Sequence, residues 1–188
     1  MFKKLLISAA LALTFGNSAF AESYKIDTDE GHSAINFSVS HLGFSFVTGR
    51  FDKFTGSFEF DAANPEASSL NVEIIVGSIN TNHGKRDNHL RSADFFDEAN
   101  NTTASFVSTD IKTTGDKTAV ITGDLTIKGI TKSVALDTVF IAEGEDPWGN
   151  YRAGFTGATT VKLSDYDMAG PLGDQEVVLT VITEGIRQ

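Results

Sequence analysis

The sequence predicts an all-β domain, an antiparallel sandwich or barrel behind an export segment, and three observations carry that expectation. Apolar and polar residues alternate along most of the chain, the period of strands with one buried face. Turn residues punctuate these runs at short intervals, with almost nothing of helical period between them. The 188 residues include 15 phenylalanines and no cysteine, so packing alone must hold the domain together, and thiol catalysis and thiolate metal sites are excluded.

The N-terminus carries Lys3 and Lys4, then an apolar run from Leu5 to Phe15, then small residues ending in Ala19-Phe20-Ala21. That order is a secretory signal peptide over 1–21 with cleavage expected after Ala21. The run is shorter than the roughly 20 residues of a spanning helix, and no later segment approaches that length, so no membrane span is expected. Residues 22–188 then form one ordinary domain. The formal charge of −10 becomes −12 once Lys3 and Lys4 are removed, 13 basic against 25 acidic residues. Nucleic acid is not an expected partner, because phosphate binding needs a basic face and only Lys85, Arg86 and Arg91 cluster.

From Ser33 the alternation can be followed to the C-terminus. Ile35, Phe37 and Val39 share one parity; then come Val47, Gly49 and Phe51, and Phe54, Gly56, Phe58 and Phe60. Leu70, Val72, Ile74 and Val76 follow, then Ala104 and Phe106, and Ile121, Leu125 and Ile127. Val134 and Leu136, Phe155 and Val161, and Val177, Leu179 and Val181 complete the series. Turns are expected at Asp29-Glu30-Gly31, Asn64-Pro65, Thr114-Gly115-Asp116, Lys128-Gly129, 144–150 and 169–173. Eight or more strands result. Twelve phenylalanines remain after cleavage, mostly on the inward parity, and Gly49, Gly56, Gly123 and Gly157 on that parity are expected to leave room inside. A barrel of about eight strands encloses just enough space for one slender ligand.

One stretch does not read as strand. Between Thr81 and Asp97 charge, two histidines and Phe95-Phe96 are gathered, and Thr81 or Asn82 can cap a short helix near 83–91. Leu90, Phe95 and Phe96 give it an apolar side able to close a barrel mouth, while Arg86, Asp87, Arg91 and Asp94 read as an ion-pair network holding it. His83 and His89 are six residues apart, not the four of a helical metal pair, so no metal site is expected. No G-x-S-x-G elbow, P-loop or dinucleotide fingerprint occurs, and no catalytic residue is assigned.

Several segments resemble the YceI-like family. They are Asp29 to Gly43, with His32-Ser33 and His41-Leu42-Gly43; Thr81 to Phe96, with Arg86-Asp87, His89-Leu90-Arg91-Ser92 and Asp94-Phe95; and Thr122-Gly123-Asp124-Leu125-Thr126 to Lys132. Asp146-Pro147-Trp148-Gly149, Arg152-Ala153-Gly154-Phe155 and Gln175-Glu176-Val177 to Gly185 continue the likeness in order, with Phe96 a departure where an aliphatic residue is expected. The resemblance implies a lipocalin-like eight-stranded antiparallel β-barrel exported to the periplasm. It implies a long polyisoprenoid or isoprenoid quinone as bound ligand, no other cofactor, and an open option of a homodimer.

On that reading the residues expected at the tail are Phe37, Val39, Phe51, Phe58, Phe60, Val72, Ile74, Phe106, Leu125, Ile127, Leu136, Phe155 and Leu179. Arg86, His89 and His41 are expected near a head group, which wants donors. The competing readings are a periplasmic enzyme or redox accessory acting on the bound quinone, and a structural β-sandwich with a filled core.

Overall fold

The computed structural model describes residues 21–168 and 173–188; the expected signal segment before Ala21 and most of the expected turn at 169–173 lie outside them. Eleven strands occur among the described residues: β1 (Glu22–Ile26), β2 (Ala34–His41), β3 (Ser45–Phe51), β4 (Phe54–Phe60), β5 (Ser69–Ile75), β6 (Ile79–Asn80), β7 (Thr103–Gly115), β8 (Thr118–Ile127), β9 (Ile130–Glu145), β10 (Tyr151–Lys162) and β11 (Glu176–Arg187). All the pairings are antiparallel.

Eight of these strands close a ring in the order β1-β4-β5-β7-β8-β9-β10-β11, because β1 pairs with both β4 and β11. The ring is the lipocalin-like eight-stranded barrel. Strands β2, β3 and β6 extend the sheet from the first half of β11, where Val177 faces Val39 and Ile182 faces Ala34. The turn chemistry fits this path: Lys128 and Gly129 both have positive φ, 52° and 73°, the conformation of a two-residue hairpin turn matched to strand twist.

The barrel has two unlike ends. At one, α1 (Gly84–Arg91) follows β6, and Leu90, Phe95 and Phe96 pack against the core. Phe96 meets Phe51 edge-on at 5.8 Å between ring centroids, and Val76, Ile79, Ile74 and Ala104 are buried. At the other end lie the connections β4–β5, β7–β8 and β9–β10.

Gly49, Gly56 and Gly123 on the inward parity do not leave open space, which corrects that expectation, whereas Gly157 lines the barrel cavity. A Cβ on Gly123 would stand 2.3 Å from Phe106 Cζ, one on Gly49 2.3 Å from Phe37 Cζ, and one on Gly157 3.1 Å from Leu136. They seat neighbouring side chains. Gly56 is closed instead by the Asn71 carbonyl, 2.6 Å away, and by Ile26. Gly123→Val is therefore expected to destabilise the fold by about 1–3 kcal/mol through overpacking, read as a lower urea midpoint at unchanged slope.

Candidate functional site

The barrel interior is divided by height. Toward the end remote from α1 a cavity of about 200 Å³ is walled by Phe58, Phe60, Leu70, Ile111, Ile121, Leu136, Phe140, Phe155 and Val181. Phe155 stands among the rings of this wall, meeting Phe60 at 5.0 Å, Phe140 at 5.3 Å and Phe58 at 5.5 Å. Such rings contribute large apolar area and lock each other's geometry. At the rim stand Ala62, Pro65, Ser68, Thr113, Asp116, Lys117 and Thr118. Lys117 lies over the Phe140 ring at 5.7 Å and donates to the Ile141 carbonyl. The Ser68 hydroxyl is buried with no hydrogen-bond partner.

Of the residues expected at the ligand, Phe58, Phe60, Leu136 and Phe155 line this cavity. Phe51, Val72, Ile74, Phe106, Leu125 and Ile127 are buried in packed core, and Phe37, Val39 and Leu179 are half-buried against it. Parity told which side chains point inward but not their height along the barrel. Leu70, Ile121, Phe140 and Val181 were on or next to recognised strands. Ile111 was hidden, because a bulge between Ser108 and Asp110 shifts the β7 register and reverses the parity set by Ala104 and Phe106.

The three expected head-group residues lie outside the cavity wall. His41 is exposed at the end of β2. Arg86 donates through Nε to Thr81 Oγ1 and through Nη2 to the Thr81 carbonyl. His89 is exposed, bonded to Asp94 and edge-on to Phe95. The segment around α1 is thus a plug for the end away from the cavity, not a lid over its mouth.

Its cap is His83, whose Nδ1 accepts from the Arg86 N–H, not Thr81 or Asn82. Thr81 serves instead as an anchor: its N–H and hydroxyl both donate to the buried Asp87 carboxylate. Burial alone would raise the Asp87 pKa, but the Thr81 bonds outweigh it and the net shift is downward. The expected ion-pair network is replaced by these bonds and by Arg91, which donates to the Gly77 carbonyl and pairs with Glu98.

A second polar assembly, outside the cavity, went unseen in the sequence. Arg152 Nη1 donates to Asp27 at 2.7 Å and Glu184 at 2.6 Å, while Nε donates to Asp146 at 2.6 Å. It ties the ends of β1, β9, β10 and β11 together. Asp27 is 2 % exposed. Burial would raise its pKa, yet the hydrogen bonds from Arg152 and His32 prevail and bring it down to about 2. Asp146 is likewise held below the usual carboxylate range, burial being outweighed by Arg152 and Asn150.

Asp27, His32 and Glu184 have ligand atoms within 4.8 Å of one another, close enough for a metal ion. An ion there would have to displace Arg152, which already donates to both carboxylates. His32 Nδ1 lies 3.0 Å from Asp27 Oδ2, and that hydrogen bond raises its pKa. Its contribution to stability is therefore complete below about pH 6.5 and is lost as pH rises through the folded value. The stability difference between the wild type and His32→Ala, followed by urea melts at pH 5.5 and pH 8.5, is expected to shrink at the higher pH.

A second recess lies where β9 and β10 part. Their pairing ends at Asp137 and Ala158, and an open groove is lined there by Lys132, Thr160, Asp165 and Tyr166. Tyr166 is buried; burial first, and then Asp165, push its hydroxyl up to about 12.

A closed antiparallel ring, plugged by a short helix at one end and hollow and aromatic at the other, defines a lipocalin-like barrel. The chain belongs to the YceI-like family: residues 24–184 match the YceI-like domain. It is 49% identical to the UPF0312 protein of Ectopseudomonas mendocina over 100% of both chains. Among solved structures it is similar to the YCEI protein of Campylobacter jejuni, 28% identical with a TM-score of 0.70, covering 79% of this chain and 90% of that one. A polyisoprenoid binding domain from Saccharophagus degradans shares the fold at 16% identity, with a TM-score of 0.62 over 87% of this chain and 99% of that one.

Proposed function

We propose that this protein binds a long polyisoprenoid lipid, an isoprenoid quinone or polyprenyl compound, and stores or carries it in the periplasm without transforming it. The observation that carries this reading is the aromatic and aliphatic cavity at the open end of the barrel. Its volume of about 200 Å³ exceeds the ~150 Å³ apolar cavity that suffices for benzene. The first isoprene units therefore fit as the wall stands, and a longer tail must turn inward rings aside. A ligand oxygen at the rim would find the Lys117 ammonium. The titratable side chains of the lining are Glu59, Asp116 and Lys117, set around a wall that is otherwise mostly apolar. The polyisoprenoid binding domain of the same fold from Saccharophagus degradans supports the ligand class.

Physical limits shape the mode of binding. Taking a tail of about 40 carbons out of water at roughly 0.8 kcal/mol per CH2 would yield about 30 kcal/mol, above the ceiling of known affinities. Such a lipid starts in a membrane, however, so its transfer to an apolar barrel is nearly neutral and ordering the chain opposes it. Exchange follows. Titration with prenylated fluorophores of increasing chain length is expected to give saturable uptake that is displaced by unlabelled prenyl quinones. Uptake that never saturates, or displacement by any fatty acid as readily as by a prenyl chain, would refute the assignment.

A further inference from the structure

We propose that the slot between the start of β9 and the end of β10 is a docking site for a partner polypeptide, which enters it as an extended segment and completes the barrel wall as an extra strand. The inference is independent of what the cavity holds.

Closing a sheet into a barrel normally abolishes free strand edges, and this barrel keeps two. The β9–β10 register runs through Thr138 opposite Gly157 to Asp137 opposite Ala158 and stops there. Both strands nevertheless continue, each held on its far side. Strand β9 stays paired with β8 as far as Ile130 opposite Ile127, and β10 with β11 as far as Lys162 opposite Glu176. The gap is therefore a parting of two anchored strands and not the fraying of loose ends. Continued without a break, the register would set Thr160 opposite Ala135 and Lys162 opposite Ser133.

The backbone groups left over can be named. In an antiparallel ladder successive residues turn their N–H and C=O to alternate sides. Phe140 N donates to the carbonyl of Lys117, just before β8, and Leu163 N to the carbonyl of Gln175, just before β11. Even-numbered residues of this part of β9 thus bond toward β8, and odd-numbered residues of β10 toward β11. Ser133 and Ala135 on one side, and Thr160 and Lys162 on the other, turn their N–H and C=O into the slot, where no strand of the described residues receives them. Two facing rows of unpaired groups are a template for one more strand.

The chemistry of the slot selects the occupant. Its volume is about 630 Å³, against about 200 Å³ for the aromatic cavity. Small side chains line it, Ser133, Ala135, Ala158 and Thr160 among them, and these let another backbone approach closely. Tyr166, from the 3-10 turn Leu163–Tyr166 that packs on both strands, also belongs to the lining. Its hydroxyl is buried and has no hydrogen-bond partner among the described residues. A peptide carbonyl is the acceptor it lacks. A prenyl tail would instead leave backbone N–H and C=O groups facing hydrocarbon, which is costly, and a nucleic-acid strand would meet the carboxylates of Asp137 and Asp165. A second copy of this chain would have to offer an unpaired extended segment of its own.

The test titrates the isotope-labelled protein with a blocked peptide of alternating threonine and valine, flanked by lysines for solubility, and with its analogue N-methylated at alternate residues. In the free protein the amides of Ser133, Ala135, Thr160 and Lys162 are expected to exchange quickly with solvent. The unmethylated peptide should bind saturably at millimolar concentration, shift those four signals, and slow their exchange by roughly tenfold at a tenfold excess over Kd. The N-methylated peptide should not bind. Ala135→Pro removes an N–H that faces the slot and no ladder bond, as an edge position tolerates, so it is expected to keep its Tm and bind roughly tenfold more weakly. Thr160→Pro makes the same test from β10, and the N-methylated peptide on the wild type makes it without any substitution. Absence of binding, equal binding of the two peptides, or slow exchange of Ala135 and Thr160 in the free protein overturns the proposal. So does a prenyl quinone that shifts the same four signals, which would give the slot to the lipid. A concentration-dependent dimer abolished by Ala135→Pro overturns it in favour of a second copy.

Discussion

Arg152→Met is expected to lower stability by about 3 kcal/mol, because it leaves the buried Asp27 carboxylate facing Glu184 and Asp146 without its cation. For a chain of this size that amounts to a fall of about 6–12 °C in Tm. The guanidinium is nearly out of solvent, Asp27 and Asp146 have side chains 2 % and 9 % exposed, and among the described residues no other cation bonds to either except His32. Much of the loss should return in Arg152→Met/Asp27→Asn, which removes the stranded charge, and this partial rescue separates electrostatics from lost packing. In the wild type the same pairing should make stability fall with acid. Asp27, held at about 2, contributes stability above its unfolded pKa and loses it as pH drops through the folded value. Thermal melts between pH 7 and pH 2 of wild type and double variant read this directly, the wild type showing the steeper loss.

The second large effect is on ligand uptake. Ala119 lines the cavity from β8 beside Ile121, so Ala119→Trp places an indole where the tail would lie. Prenyl uptake is expected to fall tenfold or more, a loss of at least about 1.4 kcal/mol of binding, while Tm changes little because the ring occupies space that exists. Leu125→Met, in packed core outside the cavity, should leave uptake unchanged. If the indole leaves uptake intact and the fold undisturbed, the ligand sits elsewhere, and the groove between β9 and β10 becomes the place to look.

Much of the barrel was legible because alternation is a local property. Phe54 to Phe60, Leu70 to Ile74 and Val177 to Val181 read correctly as half-buried strands, and Lys128-Gly129 as a hairpin turn. The alternation followed from Ser33 leaves out Tyr24 and Ile26 around Lys25, beside the expected export segment, although the short β1 is the strand that closes the ring. The site was harder to see. Height along a barrel depends on register and shear, which no single strand encodes, so Phe51 and Ile127 looked as suitable as Phe58 and Phe155. The bulge in β7 reversed a parity and hid Ile111. Arg152 and Asp27 are 125 positions apart, and no local pattern announces their meeting. The charged segment from Thr81 to Asp97 was recognised as a helical cap, but which end it closes is a matter of topology.

The most direct test of the central claim is native mass spectrometry of the protein purified gently from cells that produce it, followed by solvent extraction of whatever is bound. The account predicts a one-to-one adduct that is released into solvent and identified as a polyisoprenoid, and that is missing from Ala119→Trp. A single ligand-free mass, unchanged after incubation with prenyl quinones in micelles, would contradict it.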